Sequence, residues 1–511
     1  MRILYLDLDA LTPWHLGCYG YHRNTSPTID RIAAEGVRCT NVYAPDAPCL
    51  PSRTAFYSGR FGINTGVVGH GGTAAQPRVE GPDRSFRDHF DTQGFARQLQ
   101  HAGMHTAMIS PFGQRHAAWH FYAGFNEIHN TGGGGMESAE QVQPVVSKWL
   151  DEHAAEDNWY LHINYWDVHT PYRVPADYGD PFKDEPLPDW LTEEEVARQV
   201  KQPGPHSCQD YGMYHGREDP KFSRHPGTVT DMAGARKAYD GYDTAIRYVD
   251  DMIAQIVAML KKAGVYDETA IIISADHGEN MGELRIWGEH GTADRVTCNV
   301  PMIIKWPGAK QGHVDEGLHY NLDFAPTCLQ MLGRDDLIAR CPIWDGKSYA
   351  DTLKNGVDAG REELVISQCA HVCQRSVRMG DWLYMRTYHD GFHCWPKEML
   401  FDLKTDPQEL NNVAGANPEI CREAGYRLLG WHDEQMAKVA AMGYPDKSDP
   451  MVRVLAEGGP FHANVRMQGQ PGPVGFFEYL ERLEATGRGA SAAVLREQWG
   501  DEAKKYQSLY A

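Results

Sequence analysis

At 511 residues, 42% of them hydrophobic and 23% charged, the chain is long enough for one large domain plus a smaller one, and its composition is that of a soluble globular protein. A formal charge of −20 argues against a nucleic-acid backbone as partner, but leaves room for a small basic pocket that takes an anion. Every apolar run falls short of the roughly 20 residues that span a bilayer, and Asp7 and Asp9 interrupt the first apolar stretch, so neither a membrane span nor a signal peptide is expected. Together with eleven scattered cysteines that fit reduced thiols, this places the protein in the cytoplasm.

Residues 2 to 9 predict a β-strand ending at Asp9. Ser26-Pro27 supplies a cap and first position for a helix running to Gly36, and a second strand follows near residues 38 to 43. Next comes Ala47-Pro48-Cys49-Leu50-Pro51-Ser52-Arg53-Thr54, the stretch around which the chain is organised. Pro51 suits a first helical turn, which sets Cys49 at or just before a helix N-terminus. There the unpaired N–H groups favour an anion, either a thiolate or the oxyanion of a bound ester. Arg53 lies one turn on and can face the same point with a planar fork suited to sulfate or phosphate oxygens.

A helix ending at Gly103 precedes the strand His105 to Ile109, and a helix near residues 139 to 154 precedes the strand Trp159 to Asn164. Tyr242, Ile246, Val249, Ile253, Ile256 and Leu260 recur at spacings of four and three, a buried helix face that stops at Gly264. The apolar run Ala270 to Ser274 reads as a strand covered on both faces and leads into Asp276-His277-Gly278-Glu279. This alternation predicts an α/β domain over residues 1–360 with a mostly parallel sheet, in which ligands gather at the carboxyl ends of the strands. From 361 to 415, short β-prone runs (364 to 369, 376 to 379, 382 to 387 and 399 to 403) predict a small antiparallel sheet. Residues 416–511 read as helices interrupted by a Gly/Pro-rich stretch from Gly469 to Gly475, and this extension either covers the core or makes a homo-oligomer. Cys369-Ala370-His371-Val372-Cys373 lacks a second ligand pair at suitable spacing and is read as structural.

The Cys-x-Pro-Ser-Arg run at Cys49 to Arg53 resembles the signature of the sulfatases, in which maturation oxidises the cysteine to formylglycine. The resemblance continues in family order through Asp9 with Leu16-Gly17-Cys18-Tyr19-Gly20, Asp167-Val168-His169-Thr170-Pro171, Ser274 to Glu279, Val300 to Gly308, and Phe401-Asp402-Leu403. It implies the fold of the alkaline phosphatase-like hydrolases: a large, mostly parallel sheet with helices on both faces plus a smaller C-terminal antiparallel-sheet domain. It also implies one divalent metal held by Asp9, Asp276, His277 and residue 49. Carboxylate oxygens suit calcium first, with magnesium or manganese as alternatives. The chain departs from the family at Asp9-Ala10, where many sulfatases carry two aspartates, and Asp7 on the same strand face is the candidate replacement. Ser110 to His116 stands where the family has Gly-Lys-Trp-His, leaving Arg115 or His116 to supply a cation and base or to lie on the surface. His290 takes the place of a family lysine, and His70 either lines the pocket or sits in a surface loop.

The implied reaction is hydrolysis of a sulfate ester, of a sugar or of an aryl or alkyl alcohol, with Cys49 (as formylglycine) as nucleophile. Arg53 stabilises charge on the transferring group, and His169 and His290 protonate the departing alcohol. The partners implied are that ester and a formylglycine-generating maturation enzyme. A phosphonate monoester or phosphodiester hydrolase is the alternative within the superfamily, and a non-catalytic metal- or glycan-binding relative is the alternative outside catalysis. Tyr388 to Trp395 serves as either a sugar or aryl subsite or a turn and core segment.

Overall fold

The computed structural model describes residues 1–80, 88–213, 215–460 and 476–507. Its framework is an eight-stranded sheet of β1 (Arg2–Leu8), β2 (Val37–Tyr43), β3 (His105–Ile109), β4 (Glu127–His129), β5 (Trp159–Tyr165), β6 (Thr269–Ser274), β7 (Asn299–Lys305) and β8 (His313–Tyr320), in the order β8-β2-β7-β6-β1-β5-β3-β4. Only β7 runs against the others, so the sheet is mostly parallel as expected. β1, β5 and β6 are buried along their whole length, which explains why their sequences are apolar without alternation. The register pairs Asp7 with both Asn164 and Ser274, so the carboxyl ends of the three central strands, and the loops that follow them, come together at one edge.

Helices α1 (Pro27–Ala34), α3 (Ala139–His153) and α4 (Met232–Lys262) pack through α4 on one face. On the other face α2 (Cys49–Ser58) packs with the helices Phe95–His101 and Phe324–Met331. All six apolar positions of the predicted stripe in α4 are buried, and the helix ends before Gly264, whose φ of +74° suits a residue without a side chain. The N-terminus of α1 differs from expectation. The Ser26 hydroxyl donates to Asp30 instead of capping the helix, and the Thr28 and Ile29 N–H groups donate to Asp250 of α4. A buried carboxylate from a neighbouring helix thus replaces the local cap, because α1 starts inside the protein and not at its surface.

The second sheet consists of β9 (Glu363–Gln368), β10 (Cys373–Met379), β11 (Trp382–His389) and β12 (Glu398–Asp402), antiparallel as expected. A two-residue strand, Asp46–Ala47, joins it in parallel alongside β9, which ties the small sheet to the segment just before Cys49. The Tyr388 to Trp395 segment takes turn and core roles. His389 stacks on Trp499 at 4.0 Å, and His393 stacks on Trp395 at 4.1 Å.

The tail helices fold back onto the chain. α5 (Pro418–Ala441) covers the small sheet, and α6 (Phe476–Ala485) and α7 (Gly489–Gln507) pair with each other. The stretch from Gly469 to Gly475 lies outside the described residues. Asp210, fully buried, receives Arg482 at 2.6 Å, Arg488 at 2.5 Å and the Tyr479 hydroxyl at 3.1 Å, so one carboxylate anchors α6 and the connection that leads into α7. Asp210→Ala leaves the buried Arg488 unpaired and is expected to cost about 3–5 kcal/mol. Chemical denaturation together with limited proteolysis of the C-terminal helices measures this.

Candidate active site

Four loops that follow strands meet above the N-terminus of α2. Asp9 follows β1 directly; Ala10 after it adopts a φ of +63°, and its carbonyl accepts from the Tyr242 hydroxyl at 2.7 Å. Cys49 is the first residue of α2 and is completely buried. Asp276 and His277 follow β6, and Ser52 of α2 donates to the Asp276 carbonyl at 2.6 Å. At Gly278 the turn passes so close to the Val296 carbonyl that a Cβ would lie 2.1 Å from its oxygen, so only glycine fits. His169 follows β5, and His290 follows the short ribbon formed by Asn280–Met281 and Trp287–Glu289.

Asp9, Cys49, Asp276 and His277 each present one donor atom within 4.8 Å of the others, and His290 reaches Cys49 and His277 in the same way. Cys49 Sγ lies 3.0 Å from His277 Nε2. The three imidazoles form a connected group. His290 stacks on His277 at 4.3 Å, His169 meets His290 edge-on at 4.7 Å, and His169 Nε2 is 4.0 Å from Asp9. The guanidinium of Arg53 reaches Asp7 and Asp9 at 2.9 Å and Asp276 at 2.8 Å, with its face 4.2 Å from the Phe112 ring.

Asp7 stands outside the four-residue cluster. Its Oδ2 accepts from Arg53 and faces His162 Nε2 at 3.3 Å, so it grips the arginine from the side away from Cys49. Arg115 donates to the Gly135 carbonyl and lies over the Trp166 ring at 4.9 Å, and that same ring lies 5.5 Å from Arg53. His116 packs on Phe112 and lies 5.1 Å from the half-buried His70, whose Nε2 is 3.5 Å from the Leu50 N–H. These three side chains therefore flank the α2 N-terminus and are not scattered over the surface.

The electrostatics decide between the two anions considered for this helix terminus. Burial first, and then the Asp9 and Asp276 charges, push the Cys49 thiol well above its ordinary value, against the pull of Arg53. Burial and the neighbouring carboxylates thus oppose the thiolate form that the helix terminus would otherwise favour. Burial also drives the carboxylates towards neutrality. Arg53 and His277 overcome it at Asp9 and hold that group below its usual range, whereas at Asp276 burial and the neighbouring aspartates prevail and raise it well above. Burial lowers His277, His169 and His290, with the mutual repulsion of the imidazoles adding to it at His169 and His290.

One guanidinium cannot neutralise three buried carboxylates; Asp9 Oδ1 is buried without a hydrogen-bond donor, and Asp276 Oδ2 has the ion-pair contact with Arg53 but no aligned hydrogen bond. Both the missing charge and the spare oxygens fit a hard divalent cation. Residues that motif reading did not single out complete the surroundings. Glu279 faces His290 Nδ1 at 3.7 Å, and Trp166 and Phe112 supply ring faces to the arginines. Glu279 sits within the quoted Asp-His-Gly-Glu run, but nothing in the spacing shows that it points at residue 290.

The family model described as Sulfatase matches residues 2–334, and one described as N-sulphoglucosamine sulphohydrolase, C-terminal, matches residues 288–423. The chain belongs to the sulfatase family and is a sulfuric ester hydrolase with the alkaline phosphatase-like fold. It is 24% identical to a choline-sulfatase of Rhizobium meliloti (strain 1021), covering 76% of this chain and 77% of that one. It is 25% identical to an N-acetylglucosamine-6-O-sulfatase of Bacteroides thetaiotaomicron, covering 81% and 82%. Among solved structures it superposes with a TM-score of 0.65 and 20% identity on a protein in complex with its substrate D-glucosamine-2-N,6-O-disulfate, covering 85% of this chain and 97% of that one. The phosphonate monoester hydrolase of Agrobacterium radiobacter superposes with a TM-score of 0.64 and 18% identity, covering 85% and 96%.

A chelator is expected to lower the thermal midpoint, and a divalent cation to restore it. The gain is about 2.7 kcal/mol when the cation is at a hundred times its dissociation constant. Asp276→Asn is expected to weaken that response, as read by differential scanning fluorimetry with calcium, magnesium and manganese in turn.

Proposed function

We propose that the chain hydrolyses the sulfate monoester of a saccharide or another small alcohol, with residue 49 matured to formylglycine by a separate enzyme. The observation that carries this reading is the convergence around Cys49 of one arginine, two metal-type carboxylates and three imidazoles in mutual contact. Asp9, Asp276, His277 and residue 49 would hold the divalent cation, calcium before magnesium or manganese, with Asp7 holding Arg53. The cation supplies charge stabilisation at the sulfate oxygens, and the aldehyde hydrate at position 49 supplies the attacking hydroxyl.

The chain's own residues do the rest. Arg53, fixed by Asp7, Asp9 and Asp276, places its positive charge beside the anion. The Leu50 N–H lies in the same first turn of α2, where the helix dipole favours the incoming negative charge. Burial favours the neutral forms of His169 and His290, and a bound sulfate anion favours their protonated forms. Glu279 at His290 Nδ1 stabilises the imidazolium and aims Nε2 at the departing alcohol. Arg115, His116 and His70 border the same space and contact the alcohol portion. The sugar-sulfatase relative and the neighbour solved with a disulfated glucosamine support a saccharide over an aryl alcohol. The eleven cysteines, none of them in a disulfide, support a cytoplasmic location.

Peptide mass spectrometry across Cys49, on protein from a maturation-competent host, is expected to show the thiol replaced by the aldehyde or its hydrate. An intact thiol with sulfatase activity retained would overturn this reading. His290→Ala is expected to lower kcat/KM for alkyl and sugar sulfates about 10²–10⁴-fold, but nitrophenyl sulfate far less, because a good leaving group needs no proton. Steady-state kinetics across leaving groups measures the difference.

A further inference from the structure

A second group of metal-type side chains lies behind His290. His206, Glu289 and His371 each direct one donor atom to a common point, all within 4.8 Å of one another. Each comes from a different segment: the loop before the Cys208–Asp210 turn, the end of the Trp287–Glu289 strand, and the loop between β9 and β10. His371 Nδ1 is 2.8 Å from Glu289 Oε1, His206 Nε2 is 2.6 Å from Glu289 Oε2, and the two imidazoles lie nearly parallel at 5.8 Å. We propose that His206, Glu289 and His371 form a second metal site, distinct from the one at Cys49, that takes a zinc-class first-row divalent cation.

Three observations favour an ion over a plain carboxylate–imidazole pairing. First, the 2.6 Å approach of His206 is not aligned as a hydrogen bond: Glu289 Oε2 is buried without a donor, although its side chain is only 2% exposed. His206 Nδ1 is likewise buried without a partner. Second, the scaffold is built. Glu289 Oε1 also accepts the His290 N–H at 2.8 Å, which fixes the carboxylate. A Cβ on Gly291 would lie 2.5 Å from His371 Nδ1 and 2.6 Å from Glu289 Oε1, so glycine keeps the cradle open. His206 itself takes a φ of +58°, held by N–H bonds to the Asp210 and Met213 carbonyls and by the Trp287 N–H on its own carbonyl.

Third, the donor chemistry differs from that of the Cys49 site. Two imidazoles and one carboxylate select a first-row transition cation or zinc over calcium. The imidazoles are 14% and 18% exposed, which leaves a fourth position for water or an oxygen ligand. Bonds of about 2.0–2.2 Å to each donor require the two nitrogen–oxygen gaps to open by about half an ångström, which a small rotation of the two rings provides.

The test uses the full chain with Cys49→Ala and Asp276→Asn, which removes the competing donors of the first site. After chelation and gel filtration, the protein is titrated with cobalt(II) and zinc(II). The cobalt visible spectrum is recorded, and retained zinc is counted by mass spectrometry of the metal. Expected are one equivalent retained and a visible band of low-symmetry cobalt, both lost on adding His206→Ala or His371→Ala while circular dichroism stays unchanged. No retained equivalent in the background variant, or an equivalent that survives both histidine substitutions, overturns the proposal. If the background variant misfolds, the parent protein serves instead: the proposal stands if His206→Ala and His371→Ala each retain one equivalent fewer than the parent, and falls if they retain the same number.

Discussion

The structure depends on the burial of one guanidinium among carboxylates from different strands. Arg53 is 4% exposed and contacts Asp7 and Asp9 of the first strand region and Asp276 beyond β6. An arginine without those acids would be too costly to bury, and the acids without it would be protonated or would splay apart. The pairing fixes the distance between α2 and the two central strands, and with it the position of Cys49 relative to His277. Stability and catalytic geometry therefore rest on the same contacts.

The arrangement also divides labour between the faces of the sheet. α4 supplies the apolar mass on one side and reaches over the strand ends through Tyr242, which holds the Asp9–Ala10 turn. α2 supplies the reactive end on the other side. The aromatic set of Tyr5, Phe56, Phe95 and Phe324 fills the space beneath it. A rigid apolar floor under a polar, strained rim is the usual way to hold ionisable groups where water would otherwise screen them.

Much of this was legible in the residues. The strands from 2 to 9 and 105 to 109 are β-prone, residues 270 to 274 run almost wholly apolar, and the α4 stripe carries a clean helical period, so the α/β architecture follows from pattern alone. The Cys49, Asp9, Asp276, His169 and His290 positions were legible because they lie in short local motifs. What the sequence hid is long-range pairing. The Asp250 cap of α1 joins residues more than two hundred positions apart and displaces a perfectly acceptable local cap at Ser26. His371 read as part of a failed cysteine clip because its partners, His206 and Glu289, are distant in sequence. Nor does composition reveal that carboxylates outweigh the helix dipole at Cys49, since that balance depends on burial.

The two-residue strand Asp46–Ala47 has a consequence for the order of events during synthesis. Among the described residues its sheet partner is β9, more than three hundred residues downstream, so the pairing that holds the segment leading into Cys49 cannot form until most of the chain has left the ribosome. In the completed fold residue 49 has no exposed surface at all. The fold thus sets a time limit on any chemistry done to that residue by another protein: it comes before the second sheet closes, or not at all.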